Sequence, residues 1–297
     1  MFGAKSKVEE KKKENTEAKQ VQEIVPEVKG ETHAQEPIAP DVQTPTNDVK
    51  DKFDLAHLLG KTEIGLKTEF YAYQIKEIMR SMAKIIPQKS LTIEEIESIY
   101  KECVKYGAGE ICVSPYFYQI CHNLEIKFGK GQIKFGVLID YPNGESSFKA
   151  RLTEVKNAMH NGLDNVTIVF PSRAFSLGMV GAEKSRLIKL KKAGKRDVGV
   201  AIPADLNGEQ IKKFLKVIDG IKFTHITLLA EGLSVDKIAE ALRAISAQKG
   251  GKKVYVYSSI KSADEMSALL EYKVDKIYTT ELESIGFALT EKFGIKL

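Results

Sequence analysis

NVTIVFPSRAFSLG, residues 165–178, opens with NVTIVF, an apolar run of one strand's length that stops at a proline. The run is apolar along most of its length instead of alternating, which is typical of a strand buried on both faces of a parallel sheet. Pro171 lacks the N–H that a sheet ladder needs, so it ends the strand and releases the chain into a loop. The stretch therefore predicts a buried parallel strand with a loop at its carboxyl end.

The same unit repeats on both sides of this stretch. Each gap between apolar runs holds a helical pattern, with Ser, Thr or Asn at its start and usually Gly at its end. The runs are MAKII (82–86), EICVS (110–114), FGVLIDY (135–141), NVTIVF (165–170), DVGVAI (197–202), HITLLA (225–230), KVYVYS (253–258) and KIYTT (276–280). Eight strands, each followed by a helix, predict the α/β class and a (β/α)8 TIM barrel over residues 82–297. The alternative, an open doubly wound sheet, is disfavoured because no early strand ends in a glycine-rich phosphate loop.

Residues 1–52 are predicted to form a disordered, charged tail. Phe2 is their only aromatic residue, and prolines and charged residues are frequent, so the segment buries too little apolar area to offset its ordering entropy. Residues 53–81 are predicted to form a leading helical segment, because apolar residues recur at helical spacing from Lys67 onward. The short apolar stretch FDLAHLLG (53–60) is expected to dock on the barrel or, alternatively, on a partner.

Composition argues against several classes of function. No apolar run approaches the roughly 20 residues of a membrane span, and the first residues lack the apolar core of a secretory signal, which predicts a cytoplasmic protein that does not bind membranes. Cys103, Cys112 and Cys121 have neither disulfide nor zinc spacing, and the five histidines are scattered, so no metal or cofactor is expected. The net charge of +5, without basic runs interleaved with aromatics, gives no support for nucleic-acid binding.

Three motifs resemble the deoxyribose-phosphate aldolase family. EICVSPYF (110–117) resembles its second strand, IDYPNG (139–144) its third-strand loop, and TIVFPSRAFSLG (167–178) its fourth strand and following loop. The resemblance covers about residues 82–295 and implies a barrel of the class I aldolase type. It also implies reversible cleavage of deoxyribose 5-phosphate to acetaldehyde and glyceraldehyde 3-phosphate, and a possible homodimer.

The resemblance places other residues where the family carries its catalytic groups. The mechanism requires a lysine that forms a Schiff base with the substrate, a second lysine that lowers the pKa of the first, and an aspartate that moves protons. The Schiff-base lysine falls on Thr227 and the seventh-strand lysine on Tyr257. The fifth-strand lysine falls on Gly199 and the aspartate on Thr167. None of these side chains is an amine that could condense with a carbonyl.

The phosphate end of the family site is also altered. The resemblance implies a glycine-rich backbone cradle after strands seven and eight, but these loops read SSIK (258–261) and YTTE (278–281). The ligand-binding candidates that remain are Ser259, Lys261, Thr280 and, in the loop after strand four, Arg173.

These observations lead to three hypotheses. The first is a pseudoenzyme, a binding or scaffold protein within an assembly, which contacts a protein partner through the tail or residues 53–60. The second is an active lyase of the aldolase type that uses a relocated lysine, and Lys84 on the first strand is the best candidate if it faces the barrel lumen. The third is a sensor that binds a sugar phosphate in a pocket lined by Tyr257, Thr227, Thr167 and Lys261.

Overall fold

The structure is a computed structural model that describes residues 64–86, 91–129, 133–195 and 197–295. The predicted tail (1–52) and the apolar stretch 53–60 lie outside these residues. No helix in the described ranges is both long and apolar enough to cross a lipid bilayer.

Eight strands lie within the described residues, and each coincides with one of the apolar runs. They are Met82–Ile85 (β1), Glu110–Val113 (β2), Lys134–Ile139 (β3), Asn165–Val169 (β4), Asp197–Pro203 (β5), His225–Ala230 (β6), Lys253–Ser258 (β7) and Lys276–Thr279 (β8). All neighbours pair in parallel and in sequence order, and β8 pairs with β1, so the sheet closes into a barrel. The predicted (β/α)8 TIM barrel is therefore confirmed.

Helices fill the connections between the strands. They are Ile64–Arg80 (α1), Ile93–Tyr106 (α2), Tyr118–Phe128 (α3), Phe148–His160 (α4), Arg173–Ser176 (α5), Val180–Gly194 (α6), Gly208–Ile218 (α7), Val235–Ser246 (α8), Ala263–Leu270 (α9) and Leu282–Phe293 (α10). A 3₁₀ turn, Pro115–Phe117, precedes α3. The apolar faces of these helices and the outward-facing strand residues form one continuous core, which surrounds the barrel.

The leading helix α1 belongs to this helix layer. It contacts α10 and β1, its residues Ile75 and Met79 are fully buried, and the ring of Tyr71 stacks on Phe293 with centroids 5.5 Å apart. The predicted amphipathic helix is confirmed, and it ends at Arg80, one residue before the turn into β1. The part of the leading segment that precedes Ile64 lies outside the described residues.

Side-chain capping bonds explain where four of the described helices begin, namely α2, α4, α7 and α9. Ser262 is the N-cap of α9, and its hydroxyl accepts a hydrogen bond from the amide of Glu265 while the Glu265 carboxylate returns one to the Ser262 amide. Ser234 is the N-cap of α8 and has the same extended backbone, but its side chain makes no capping hydrogen bond. The two serines therefore form a natural comparison.

We expect Ser262→Ala to lower the free energy of unfolding by about 1 kcal/mol, because the substitution leaves a helix amide without its acceptor. Ser234→Ala, the matched control, should change it by less than about 0.5 kcal/mol. Urea denaturation of both variants measures the difference, and equal losses would contradict the assignment of the capping bond.

Candidate functional site

The side chains inside the barrel form an apolar and aromatic layer toward the carboxyl ends of the strands. These ends are the mouth of the barrel, where the loops that carry chemistry in this fold are located. Together with the lumen-facing residues beneath it, this layer forms one buried cluster, which consists of Ala83, Ile85, Cys112, Leu138, Val169, Ala201, Tyr255, Tyr257 and Tyr278. Burial raises the pKa values of the Tyr257 and Tyr255 hydroxyls and of the Cys112 thiol, so these groups stay protonated.

A polar network occupies the opposite, amino-terminal end of the lumen. The carboxylate of Glu110, the first residue of β2, is 1% exposed. It forms an ion pair with Lys276, accepts a hydrogen bond from the Tyr278 hydroxyl at 2.9 Å, and accepts two from the Asn165 amide at 3.1 and 3.2 Å. The ammonium of Lys276 also lies 5.0 Å from the ring centroid of Tyr255. A buried charge of this kind persists only because every partner is in place.

His225 continues this network across the lumen. Its Nε2 lies 2.7 Å from the hydroxyl of Thr167 and its Nδ1 lies 2.9 Å from that of Thr224, while its ring stacks on Tyr255. Burial, together with the charges of Lys276 and Lys253, lowers the pKa of His225 to about 3. The imidazole is therefore neutral at physiological pH, where it acts as a hydrogen-bonding core residue.

Two glycines make room for these side chains. A Cβ on Gly199 would lie 1.9 Å from Nε2 of His225, and a Cβ on Gly136 would lie 2.1 Å from the Glu110 carboxylate. Such distances are far inside van der Waals contact, so only glycine fits at either position. The packing of His225 thus requires glycine at position 199, which is the place where the resemblance puts the family's fifth-strand lysine.

The other positions of the family's catalytic set are buried in the same lumen. Thr167 is held by His225, and Tyr257 packs beside Tyr141 with ring centroids 5.3 Å apart. Thr227 is fully buried, and its hydroxyl has no hydrogen-bond partner among the described residues. The structure thus brings Thr167, Thr227 and Tyr257 into one lumen, but the pocket that they were expected to line with Lys261 is filled by side chains, and Lys261 is exposed.

Lys84 does not face the lumen, which corrects the expectation that it could replace the missing nucleophile. Its neighbours in β1, Ala83 and Ile85, belong to the lumen cluster, so Lys84 points the other way, toward the helix layer. There its ammonium lies 3.0 Å from the carboxylate of Glu102 on α2. Its side chain is 11% exposed.

The loop after β3 closes part of the mouth. The hydroxyl of Tyr141 donates a hydrogen bond to Glu231 in the loop after β6, and burial together with this carboxylate raises the pKa of Tyr141 to about 12. The loop is anchored from below by Arg151, which is 2% exposed and lies 2.5 Å from Glu183 and 3.8 Å from Asp140. Asp140 in turn accepts hydrogen bonds from the amide and hydroxyl of Ser146.

The backbone amides that would cradle a phosphate are already hydrogen-bonded within the protein. The Glu265 carboxylate accepts from the amides of Lys261 and Ser262 at 2.7 and 3.2 Å. The hydroxyl of Ser259 accepts from Gly232, at 3.4 Å, and the hydroxyl of Thr279 accepts from Glu281. An incoming phosphate would have to displace a negatively charged side chain at the start of α9, which disfavours its binding there.

A cleft of about 630 Å³ remains at the mouth, between the loops after β3, β4, β5 and β6. Its charged lining residues are Arg173, Asp205 and Glu231. The guanidinium of Arg173 forms an exposed ion pair with Glu145 at 3.1 Å. Two carboxylates against one paired arginine favour a neutral ligand over a phosphate in this cleft. Ser259, Lys261 and Thr280, the other candidates, do not line it, and the hydroxyl of Thr280 donates to Glu281.

Sequence reasoning missed the Glu110 network, which contains the most polar contacts in the lumen. A signal was present, because Glu110 and Lys276 each open an otherwise apolar strand and therefore lie at the same end of a parallel barrel. The three cysteines are buried with raised thiol pKa values, in agreement with packed thiols. Across the described part of the chain, no group of His, Cys, Asp and Glu side chains could hold a metal ion.

Comparisons with known proteins agree with the motifs. No protein-family model matches the chain. The deoxyribose-phosphate aldolase of Mycoplasmoides gallisepticum is 27% identical over 198 residues, which cover 64% of this chain and 84% of that protein. The enzyme of Caldicellulosiruptor saccharolyticus is 26% identical over 105 residues, which cover 35% of this chain and 46% of the relative, about half its length.

Solved aldolase structures share the barrel. The tetrameric deoxyribose phosphate aldolase of Aeropyrum pernix superposes with a TM-score of 0.61 at 13% identity, covering 77% of this chain and 99% of that one. The aldolase QR15 superposes with the same TM-score at 19% identity, covering 72% of this chain and 96% of its own. The predicted resemblance to deoxyribose-phosphate aldolases is therefore confirmed for the barrel.

The two lumen threonines give opposite expectations for the same substitution. Thr227→Val should raise the free energy of unfolding by about 1 kcal/mol, because it removes a buried hydroxyl that has no partner while keeping the shape. Thr167→Val should lower it by about 1–2 kcal/mol, because it leaves a ring nitrogen of His225 unpaired. Urea denaturation at pH 7.5 measures both changes, and a loss of stability in Thr227→Val would contradict the absence of a partner.

His225 should make stability depend on pH. Because its pKa falls from about 6.5 in the unfolded chain to about 3 in the fold, the unfolded chain binds the extra proton below pH 6.5. Stability should therefore fall as the pH drops, by about 1.4 kcal/mol between pH 7.5 and 5.5 from this residue alone. Urea denaturation at both pH values should show that this part of the decrease is missing in His225→Gln, whereas identical decreases would exclude His225 as the source.

Proposed function

We propose that this deoxyribose-phosphate-aldolase-like barrel is not an aldolase but a binding or scaffold protein. The observation that carries the proposal is the placement of lysine. A Schiff-base mechanism requires a neutral amine at the mouth of the lumen, and a lysine becomes neutral near pH 7 mainly through burial. The two lysines whose side chains are largely buried do not meet this requirement: Lys84 is turned away from the lumen and paired with Glu102, and Lys276 is paired with Glu110 at the amino-terminal end of the lumen, opposite the mouth.

The filling of the lumen supports the same proposal. Tyr257 and Tyr141 occupy the space at the mouth, and Thr227 lies beneath with no exposed surface. A substrate carbonyl would have to displace packed aromatic rings to reach it, and the phosphate of that substrate would meet the carboxylate of Glu265. Folding determinants and catalytic groups occupy different parts of this barrel, so the fold can persist without the chemistry.

The proposal assigns the N-terminal tail to attachment within an assembly. Residues 1–52 carry 11 acidic and 9 basic side chains and one aromatic residue, a charged composition that suits attachment to a partner. A sugar-phosphate sensor is less well supported, since the charged groups that line the mouth cleft are mostly acidic.

Trapping with borohydride tests the proposal directly. Incubation of the purified full-length chain with deoxyribose 5-phosphate and borohydride should leave its mass unchanged, whereas an active deoxyribose-phosphate aldolase treated in parallel should gain a covalent adduct on its lysine. An adduct mapped to any lysine of this chain by peptide mass spectrometry would overturn the proposal.

Lys84→Met is the matched variant in this experiment. The proposal expects it to behave like the unmodified chain in the trapping assay and to unfold more easily, because the carboxylate of Glu102 loses its partner. An adduct that forms on the unmodified chain but not on Lys84→Met would establish the relocated-lysine enzyme. A rise in melting temperature with deoxyribose 5-phosphate, without an adduct, would favour the sensor over the scaffold.

A further inference from the structure

A lysine-lined groove runs along helix α6, outside the barrel lumen. Its volume is about 550 Å³. It is lined by Lys184, Ile188, Lys191, Lys192, Lys195, Asp219, Gly220, Ile221 and Lys222. Five lysines thus face one aspartate. Residues 219–222 precede β6, so this side of the groove lies at the amino-terminal end of the barrel, opposite the mouth.

The spacing of these residues places them on one side of the helix. Ile188 lies four residues after Lys184, three before Lys191 and four before Lys192, so these side chains align along one helix face, and Lys195 directly follows the end of α6 at Gly194. From 184 to 194 the helix rises about 15 Å, at 1.5 Å per residue. An extended polypeptide spans this length with about five residues.

Four of the five groove lysines have no ion-pair partner within the described part of the protein. Lys184, Lys192, Lys195 and Lys222 form no ion pair there, and the lysines that do, such as Lys276, lie elsewhere. Stabilisation of the helix carboxyl terminus accounts for Lys191 and Lys192, which lie in the last turn of α6. It does not account for Lys184 near the start of α6 or for Lys222 in the loop before β6.

An apolar strip lies between the lysines. Ile188, at the centre of the stripe, is 49% exposed, although it could have been replaced by a polar residue at no cost to the core. Ile221 lines the groove beside it. Phosphate polymers offer charge but no apolar side chain for such a strip, and the groove offers no aromatic ring on which a nucleobase could stack.

We infer that this groove binds an acidic segment of a partner polypeptide, in extended form, with an apolar side chain of the partner against Ile188 and carboxylates on the flanking lysines. Opposite charge around a small apolar contact is the usual composition of a specific peptide site. The inference rests on the proposed binding role, and it names the chemistry of the partner.

Fluorescence anisotropy with a labelled acidic heptapeptide, EDELEDE, tests the inference on the full-length chain. We expect saturable binding that weakens as salt is added, because surface charges are screened. The double variant Lys184→Glu/Lys192→Glu should weaken binding by about tenfold or more, and Ile188→Ser should weaken it by about threefold or more. The peptide EDESEDE, which lacks the apolar residue, should bind the unmodified chain correspondingly less well.

The matched control is Lys76→Glu/Lys237→Glu, which makes the same change in charge at exposed positions of α1 and α8. It should change the affinity by less than about twofold. An equal loss in this control would show that only net charge matters and would overturn the site. Tighter binding of polyadenylate or of phosphatidylserine vesicles than of the peptide would overturn the class of partner. Failure of peptide binding alongside a negative borohydride test would reject this groove and leave the non-catalytic barrel standing.

Discussion

A closed sheet of eight strands has a lumen of fixed size, and the way in which side chains fill it governs the rest of this structure. Large side chains such as Glu110, His225 and Tyr255 share the lumen with glycine or alanine at positions 83, 136, 199 and 201. The fit is tight, since Gly136 and Gly199 each admit a neighbour's side chain where any Cβ would collide. Side chains are therefore closely packed in this part of the lumen.

The two ends of the lumen are filled by different chemistry. At the amino-terminal end, Glu110 and Lys276 are buried together with Asn165 and Tyr278 as partners, an arrangement that contributes less to stability than to a single, well-defined packing. At the mouth, aromatic rings and a hydrogen bond between Tyr141 and Glu231 link the loops after β3 and β6. Surfaces with unneutralised charge lie outside the lumen, along α6.

The sequence predicted the barrel because its signals are local and repeated. Non-alternating apolar runs, five of which stop at a proline, predict buried parallel strands without knowledge of their neighbours, and all eight strands are confirmed. The orientation of Lys84 was not predictable with the same security, because it depends on which of two faces a four-residue strand turns inward. Likewise, the hydrogen bond from the Lys261 amide to Glu265 depends on loop geometry, which the spacing of apolar residues does not predict.

The contacts within the lumen also set the difficulty of building an aldolase on this scaffold. An amine introduced at position 227 would bring a longer, ionisable side chain into a space where the buried hydroxyl of Thr227 already lacks a hydrogen-bond partner. The same design would have to replace Tyr257 and Tyr255 with smaller residues. It would also have to release the loop amides that donate hydrogen bonds to Glu265. Because neighbouring substitutions of this kind are strongly coupled, their effects on stability would not add, and an amine at position 227 would call for several changes made together.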